Sequence, residues 1–180
     1  MAGTITLTVN GIVRDVEAAD DAPLLWVLRN QLDLKAARFG CGHERCGACM
    51  VLLDGEPAYS CALPVSNLGT RAVTTVEGLG TEAAPHPIQA ALLAEQAGQC
   101  GYCLSGIQIA AAALLARTNE PSRAEIVAAL DPHLCRCGVH GRIVRAVERA
   151  AAAMRQETSR QETSRQETLR QETMHEETRP

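Results

Sequence analysis

Eight cysteines in a chain of 180 residues fall into two groups, and their spacing says what they can hold. The first is Cys41-Gly-His-Glu-Arg-Cys46-Gly-Ala-Cys49, with Cys61 after eleven intervening residues. The second is Cys100-Gly-Tyr-Cys103, followed later by Cys135-Arg-Cys137-Gly138. A C-x4-C-x2-C…C run supplies the four soft, anionic thiolates that two sulfide-bridged irons need, one [2Fe–2S] cluster. Gly42, Gly47 and Ala48 leave the backbone bare enough to curl round such a cluster and turn its amides inward, where they spread the charge on sulfur. The alternatives are a structural zinc site or a disulfide pair. Zinc ribbons use paired short knuckles, not a four-residue gap.

In the second group, Cys100 and Cys103 stand at i,i+3 on what reads as the first turn of a helix. Its positive end lowers a thiol pKa and suits an anionic cluster. Cys135 and Cys137 lie at a turn before another helix start. Four thiolates from two helix starts can close round a single [2Fe–2S] unit. Alone, C-x2-C with C-x-C leaves zinc a competitor; beside the first group it points to a second cluster.

The elements that must position these thiols read clearly at the N-terminal end. Thr4-Ile-Thr-Leu-Thr-Val9 alternates hydroxyl and aliphatic residues, a half-buried strand. Asn10-Gly11 marks a tight hairpin turn, and a return strand runs through about Val16. Asp20-Asp21-Ala22-Pro23 offers an N-cap and a first-turn proline for a helix over roughly Leu24 to Leu32, with Leu24, Leu25, Leu28 and Leu32 facing the sheet. Trp26 is expected at the core or its edge. After the loop Phe39–Cys49, Met50–Leu53 reads as a strand, Asp54-Gly55 as its turn and Ala58–Cys61 as the partner strand; Ala72–Val76 is the last. A small mixed sheet crossed by one helix is an α+β arrangement, in the order of the β-grasp ferredoxins.

After Gly80 the sequence turns helical. Pro85-His86-Pro87 opens a helix to about Ala97, closed by Gly98; a second covers Cys100 to Arg117. Ser122-Arg-Ala-Glu125 is a capping box that starts a third, ending near Asp131-Pro132, and a fourth spans Arg142 to Met154. The expected organisation is residues 1–80 as a β-grasp cluster domain, 81–154 as a four-helix cluster domain, and 155–180 as a tail. That tail repeats the pentad Arg-Gln-Glu-Thr-Ser with variations. A period of five lays down no apolar stripe, so mostly disordered chain is expected there.

Composition excludes several roles. A formal charge of −4 argues against a nucleic-acid surface. No apolar run reaches the length of a membrane span. No basic-then-apolar leader precedes Thr4, so eight cysteines point to a reducing, cytoplasmic setting and to metal ligation.

With both cysteine groups in view, the chain resembles the small iron–sulfur subunit of the molybdenum hydroxylases, the xanthine dehydrogenase and aldehyde oxidase family. The resemblance covers about residues 3–153 and rests on Cys41-Gly-x-x-x-Cys46-Gly-Ala-Cys49, Gln99-Cys100-Gly-Tyr-Cys103 and Leu134-Cys135-Arg136-Cys137-Gly138. Within the family it looks most like the bacterial nicotinate dehydrogenase and isoquinoline oxidoreductase small subunits. Glu44 departs from the pattern, standing where many members carry glycine. The resemblance implies a plant-type ferredoxin domain followed by a helical [2Fe–2S] domain. It also implies a cluster beside the molybdopterin of a separate large subunit, with Gln99 hydrogen-bonded to the pterin and Cys137 both iron ligand and pterin neighbour.

Electrons would leave through the ferredoxin-type cluster to an FAD subunit or a cytochrome c. The substrate would be an N-heteroaromatic, nicotinate-like compound or an aldehyde, oxidised elsewhere, so no catalytic residue is expected in this oxidoreductase subunit. A free-standing two-cluster ferredoxin is the alternative.

Several residues invite other readings. His43 suggests a Rieske-type ligand, but no second histidine stands in a matching motif near Cys61, so a loop role is expected. His133 and His140 flank the second motif, with helix-end or surface roles expected. Arg136 either offsets cluster charge or contacts the partner subunit. Tyr102 either packs or donates to a sulfur. Leu104, Ile107, Ile109, Leu114 and Leu115 are expected in the helical core.

Overall fold

The computed structural model describes the backbone of residues 2–177 and the side chains of 3–169. Strands β1 (Ala2–Val9) and β2 (Ile12–Ala19) form the predicted hairpin. Its turn residues Asn10 and Gly11 have φ of 51° and 75°, as a tight two-residue turn of twisted strands requires. A second such turn, Asp54-Gly55 at 50° and 89°, joins β3 (Met50–Leu53) to β4 (Glu56–Tyr59). That turn fixes the register at Leu53 opposite Glu56, so β4 begins two residues earlier than expected and Ser60-Cys61 leaves the sheet. With β5 (Ala72–Thr74), the sheet order is β2-β1-β5-β3-β4, β1 and β5 parallel and the other neighbours antiparallel.

Helix α1 (Leu24–Asn30) crosses this sheet, ending before Leu32. Pro23 sits at its N-cap, and the segment after β4, around Cys61, serves its first amides: Leu24 donates to Leu63 and Leu25 to Ser60. Leu24, Val27 and Leu28 are fully buried. Each such side chain contributes on the order of 1.5–3 kcal/mol. Trp26 is not in the core; it is half exposed.

The second half is the expected set of four helices: α2 (Pro87–Ala94), α3 (Leu104–Arg117), α4 (Arg123–Leu130) and α5 (His140–Glu177). The Ser122/Glu125 capping box starts α4, and His86 with Gln89 forms a second box at α2. Helix α2 stops short of Ala97 because Gln96 takes φ of 47° and closes the helix ahead of Gly98. Helix α3 starts at Leu104, four residues later than the sequence suggested. Ile107, Ile109 and Leu115 are fully buried and Leu104 half-buried.

Over residues 155–177 the structure corrects the expectation of disorder: α5 continues without a break through the pentads. A solitary helix needs no apolar stripe once its first turns are anchored, and Arg, Gln and Glu are good helix formers. Gln161 donates to Glu157 at 3.0 Å, and Thr158 and Thr163 donate to the carbonyls four residues back. Residues 156–169 are exposed, and 178–180 lie outside the described residues.

The two halves share strand β3. Met50 and Leu52 pack into the helical core, while Val51 and Leu53 pack under α1. The unbroken apolar run Met50–Leu53 is thus buried on both faces.

Candidate iron–sulfur sites

In the loop before β3, backbone amides point at the thiols. Cys41 N–H lies 3.3 Å from Cys46 Sγ, and the His43 and Arg45 amides lie 3.3 Å from Cys41 Sγ. The loop reaches this shape through Gly42 and Gly47, at φ of 71° and 74°. Glu44 adopts 55°, a left-handed conformation that a side chain strains and glycine would not. The His43 and Arg45 amides hold the Cys41 thiol down at about 6, so it ionises readily. Cys49 and Cys61 form the buried side of the set; burial, with the Cys61 thiol beside it, pushes Cys49 up to about 12. Iron must displace that proton, and binding then releases it.

The second set repeats the pattern with different parts. Cys100 and Cys137 sulfurs are 3.4 Å apart at the surface. Cys103 is buried against Cys135, and burial followed by the Cys135 thiol raises it to about 12. For Cys135 burial is the largest single influence and would raise it, but the Val139, Cys137 and neighbouring amides together hold it below its usual value. Cys100 is lowered chiefly by the Tyr102 amide. The thiols do not ride on a helix. Cys103 is the N-cap of α3 and Cys100 precedes it across Gly101 at φ of 75°, while Cys135 and Cys137 precede α5 across Gly138 at 72°. The helix ends still follow directly on the sulfur-bearing turns.

The donor sets suit two-iron clusters. The thiols lie in pairs: Cys41 with Cys46, Cys49 with Cys61, Cys100 with Cys137, Cys103 with Cys135. Among the described residues no three His, Cys, Asp or Glu side chains gather about one point for a single metal ion. Each iron of a [2Fe–2S] unit takes two thiolates, so pairing is the arrangement it needs. All eight cysteines are free thiols.

The two cradles clasp each other through contacts the motifs did not announce. Arg38 donates to the Gly101 carbonyl at 2.9 Å and lies over the Tyr102 ring, 5.3 Å from its centroid. The Tyr102 hydroxyl donates to Phe39 O, so it neither simply packs nor serves a sulfur. Ser105 donates to Ala48 O at 3.2 Å, and the Leu134 amide to Cys46 O at 3.1 Å. Gly106 is required here: a Cβ on it would lie 1.8 Å from Gly47 O. A glycine following a serine at a helix start was the available signal of close backbone approach.

His43 and Arg136 are exposed, as is Gln99 beside the exposed Cys100. His133 is not at the surface but buried, 2% exposed, against Gly47 and Gly106.

Comparison with known proteins finds a cluster-binding family over each half of the chain. A family described as "2Fe-2S iron-sulfur cluster binding domain" matches residues 7–72, and one described as "[2Fe-2S] binding domain" matches 75–148. The chain is 51% identical to a nicotinate dehydrogenase subunit of Pseudomonas putida, over 87% of this chain and 99% of that one. It is 52% identical to the alpha subunit of isoquinoline 1-oxidoreductase from Brevundimonas diminuta, over 77% and 91%. Among solved structures, quinoline 2-oxidoreductase from Pseudomonas putida superposes with a TM-score of 0.81 at 30% identity, covering 86% of this chain and 97% of that chain. The aldehyde oxidoreductase from Desulfovibrio desulfuricans gives a TM-score of 0.82 at 39% identity, covering 86% of this chain and 17% of that longer one. Two adjoining cluster domains, with identity to these relatives over most of the chain, make it a member of the small iron–sulfur subunit family of the molybdenum hydroxylases, the group of xanthine dehydrogenase and aldehyde oxidase.

Proposed function

We propose that this chain is the electron-transfer subunit of a molybdenum hydroxylase, with one [2Fe–2S] cluster on Cys41, Cys46, Cys49 and Cys61 and a second on Cys100, Cys103, Cys135 and Cys137. The observation that carries the reading is the pairing of eight free thiols in two amide-lined cradles clasped to each other. When bound, the clusters supply one-electron redox chemistry. The protein's own contribution is to set the thiolate charges with backbone amides and to keep Cys49, Cys61 and Cys103 away from water. Residues 1–80 serve as the ferredoxin-type unit and 81–154 as the helical one.

The exposed edge carrying Gln99, Cys100 and the half-buried Cys137 suits contact with a molybdopterin group held by a large partner subunit. Gln99 is the hydrogen-bonding side chain there and Cys137 the ligand nearest the partner. The ferredoxin-type side would deliver electrons to an FAD subunit or a cytochrome c. The relatives' names favour an N-heteroaromatic, nicotinate-like substrate over an aldehyde, bound wholly by the partner. No described helix is long and apolar enough to cross a membrane. Eight cysteines that would all serve as iron ligands favour a reducing, cytoplasmic setting.

The test is analytical. The purified chain should contain about four irons and four acid-labile sulfides, and tagging it should bring down a large molybdopterin-containing chain. Half that iron, with zinc making up the difference, would overturn the two-cluster reading.

A further inference from the structure

Among the described residues, the only buried side-chain nitrogens or oxygens without a hydrogen-bond partner are the two ring nitrogens of His133. Buried polar atoms are nearly always partnered, so two orphans on one ring point to something the ring is meant to meet. A neutral imidazole carries one N–H and one lone pair, and here neither finds a protein group. Nor does packing explain the choice, since a leucine or phenylalanine would fill such a site without stranding polar atoms.

The placement of the ring narrows what it meets. A Cβ on Gly47 would lie 2.1 Å from His133 Nδ1 and 2.7 Å from its Cε1, so the Nδ1 edge rests on the loop between Cys46 and Cys49. A Cβ on Gly106 would come 3.1 Å from the same Nδ1, which puts α3 on its other flank. Three nearby backbone donors are used within the protein: the His133 amide serves Leu130 O, Leu134 serves Cys46 O and Met50 serves Gly47 O. The ring is an uncommitted side-chain donor at this seam, carried by the helical unit and applied to the ferredoxin-type loop.

We propose that His133 is an outer-sphere hydrogen-bond donor to the ferredoxin-type cluster, its ring N–H directed at a sulfur of the centre held by Cys41, Cys46, Cys49 and Cys61. This rests on the cluster assignment above. It makes a residue of one unit a determinant of the other unit's reduction potential. A donor to sulfur stabilises the more negative, reduced state and so raises the potential. His133 touches no reacting atom; it is a positioning and tuning residue.

The experiment uses the full-length chain with its clusters, labelled with 15N in the histidine imidazoles and reduced, and pulsed electron paramagnetic resonance. A weak histidine nitrogen coupling is expected at the ferredoxin-type centre. It should survive His43→Ala and vanish in His133→Leu and His133→Gln. In His133→Leu the reduced-to-oxidised ratio of that centre at fixed poise should fall about tenfold, equivalent to ~59 mV for one electron. His133→Gln, which keeps an N–H donor, should recover most of that loss. No histidine coupling at the ferredoxin-type centre of the unmutated chain would overturn the proposal without any variant. So would a coupling that survives His133→Leu, or one found only at the helical-unit centre. Iron and sulfide contents of about four each, with two distinct paramagnetic signals, show that the cluster assignment itself stands. Their absence would refute that assignment, and the proposal with it.

Discussion

Three glycines show how differently one residue type is used. Gly106 has backbone where its Cβ would be, 1.8 Å from Gly47 O, so neither side can yield by rotating a side chain. Gly106→Ala should cost about 1–3 kcal/mol or more and loosen both cradles, read as a lowered melting temperature and lost iron. Gly101 meets nothing within 4 Å but sits at φ of 75°, so alanine there should cost only the conformational strain, about 1–2 kcal/mol. Gly141, on the first turn of α5, meets nothing and needs no special φ. Gly141→Ala should stabilise by up to about 1 kcal/mol. Equal melting shifts for all three would contradict this ordering. The cysteines were legible in the sequence because ligation chemistry fixes their types and spacing along the chain. His133 was not, because its burial depends on where α3 and the Cys46–Cys49 loop meet in space. Gly47 was read as leaving the backbone free to curl, which its φ of 74° bears out, yet its second duty of admitting the His133 ring has no local signature.

At the scale of elements, strands followed from their alternation and turns from Asn-Gly and Asp-Gly, whereas helix starts and ends drifted by up to four residues, and the end of α5 by far more, running from the expected Met154 to Glu177. The Ser122/Glu125 capping box was the exception, since a cap of that kind is a local hydrogen-bond pattern that sequence can state; the box at α2 was not read. The cap of α2 is unusual in being a histidine: His86 Nδ1 accepts from the Ile88 amide at 3.2 Å, and Gln89 accepts from the His86 amide at 2.8 Å. Burial holds His86 below its ordinary pKa. The unfolded chain therefore takes up this proton first as pH falls, and the cap's contribution is complete only above the unfolded value, about 6.5. It is lost as pH falls through the lower folded value, because imidazolium at Nδ1 cannot accept and faces the positive helix end. Asparagine is a non-titrating cap acceptor. His86→Asn should hold stability near wild type at about pH 7.5 and exceed it at about pH 5.5, while His86→Ala should lose about 1 kcal/mol at the higher pH. Thermal melts at the two pH values decide it; a pH slope unchanged in His86→Asn would show that the cap does not titrate. The pentad helix marks the other limit of legibility. Its period rules out a packed face, which was correct, but the continuation of an anchored helix needs no face at all.

The whole molecule is more tightly joined than two sequence-matched domains suggest. The alternating burial of β3 places Met50 and Leu52 in the helical core and Val51 and Leu53 in the ferredoxin core, so one four-residue strand belongs to both. The Arg38–Gly101, Ser105–Ala48 and Leu134–Cys46 bonds close the seam above it. With no seam that opens without breaking a core, the two halves should unfold together, and both cradles should fail in one transition. Met50 tests this, because it lies one residue from the ligand Cys49 yet its side chain packs with the helices. Met50→Ala should cost about 2–5 kcal/mol as a buried large-to-small change. If the halves were independent, the helical-unit cluster would be the one spared, since its own ligands, Cys100 to Cys137, are untouched. If β3 is shared, heating the variant should bleach both paramagnetic signals at the same lowered temperature, coincident with the loss of helical ellipticity. Separate transitions for the two centres, with the helical one at its wild-type temperature, would show that the shared strand couples nothing.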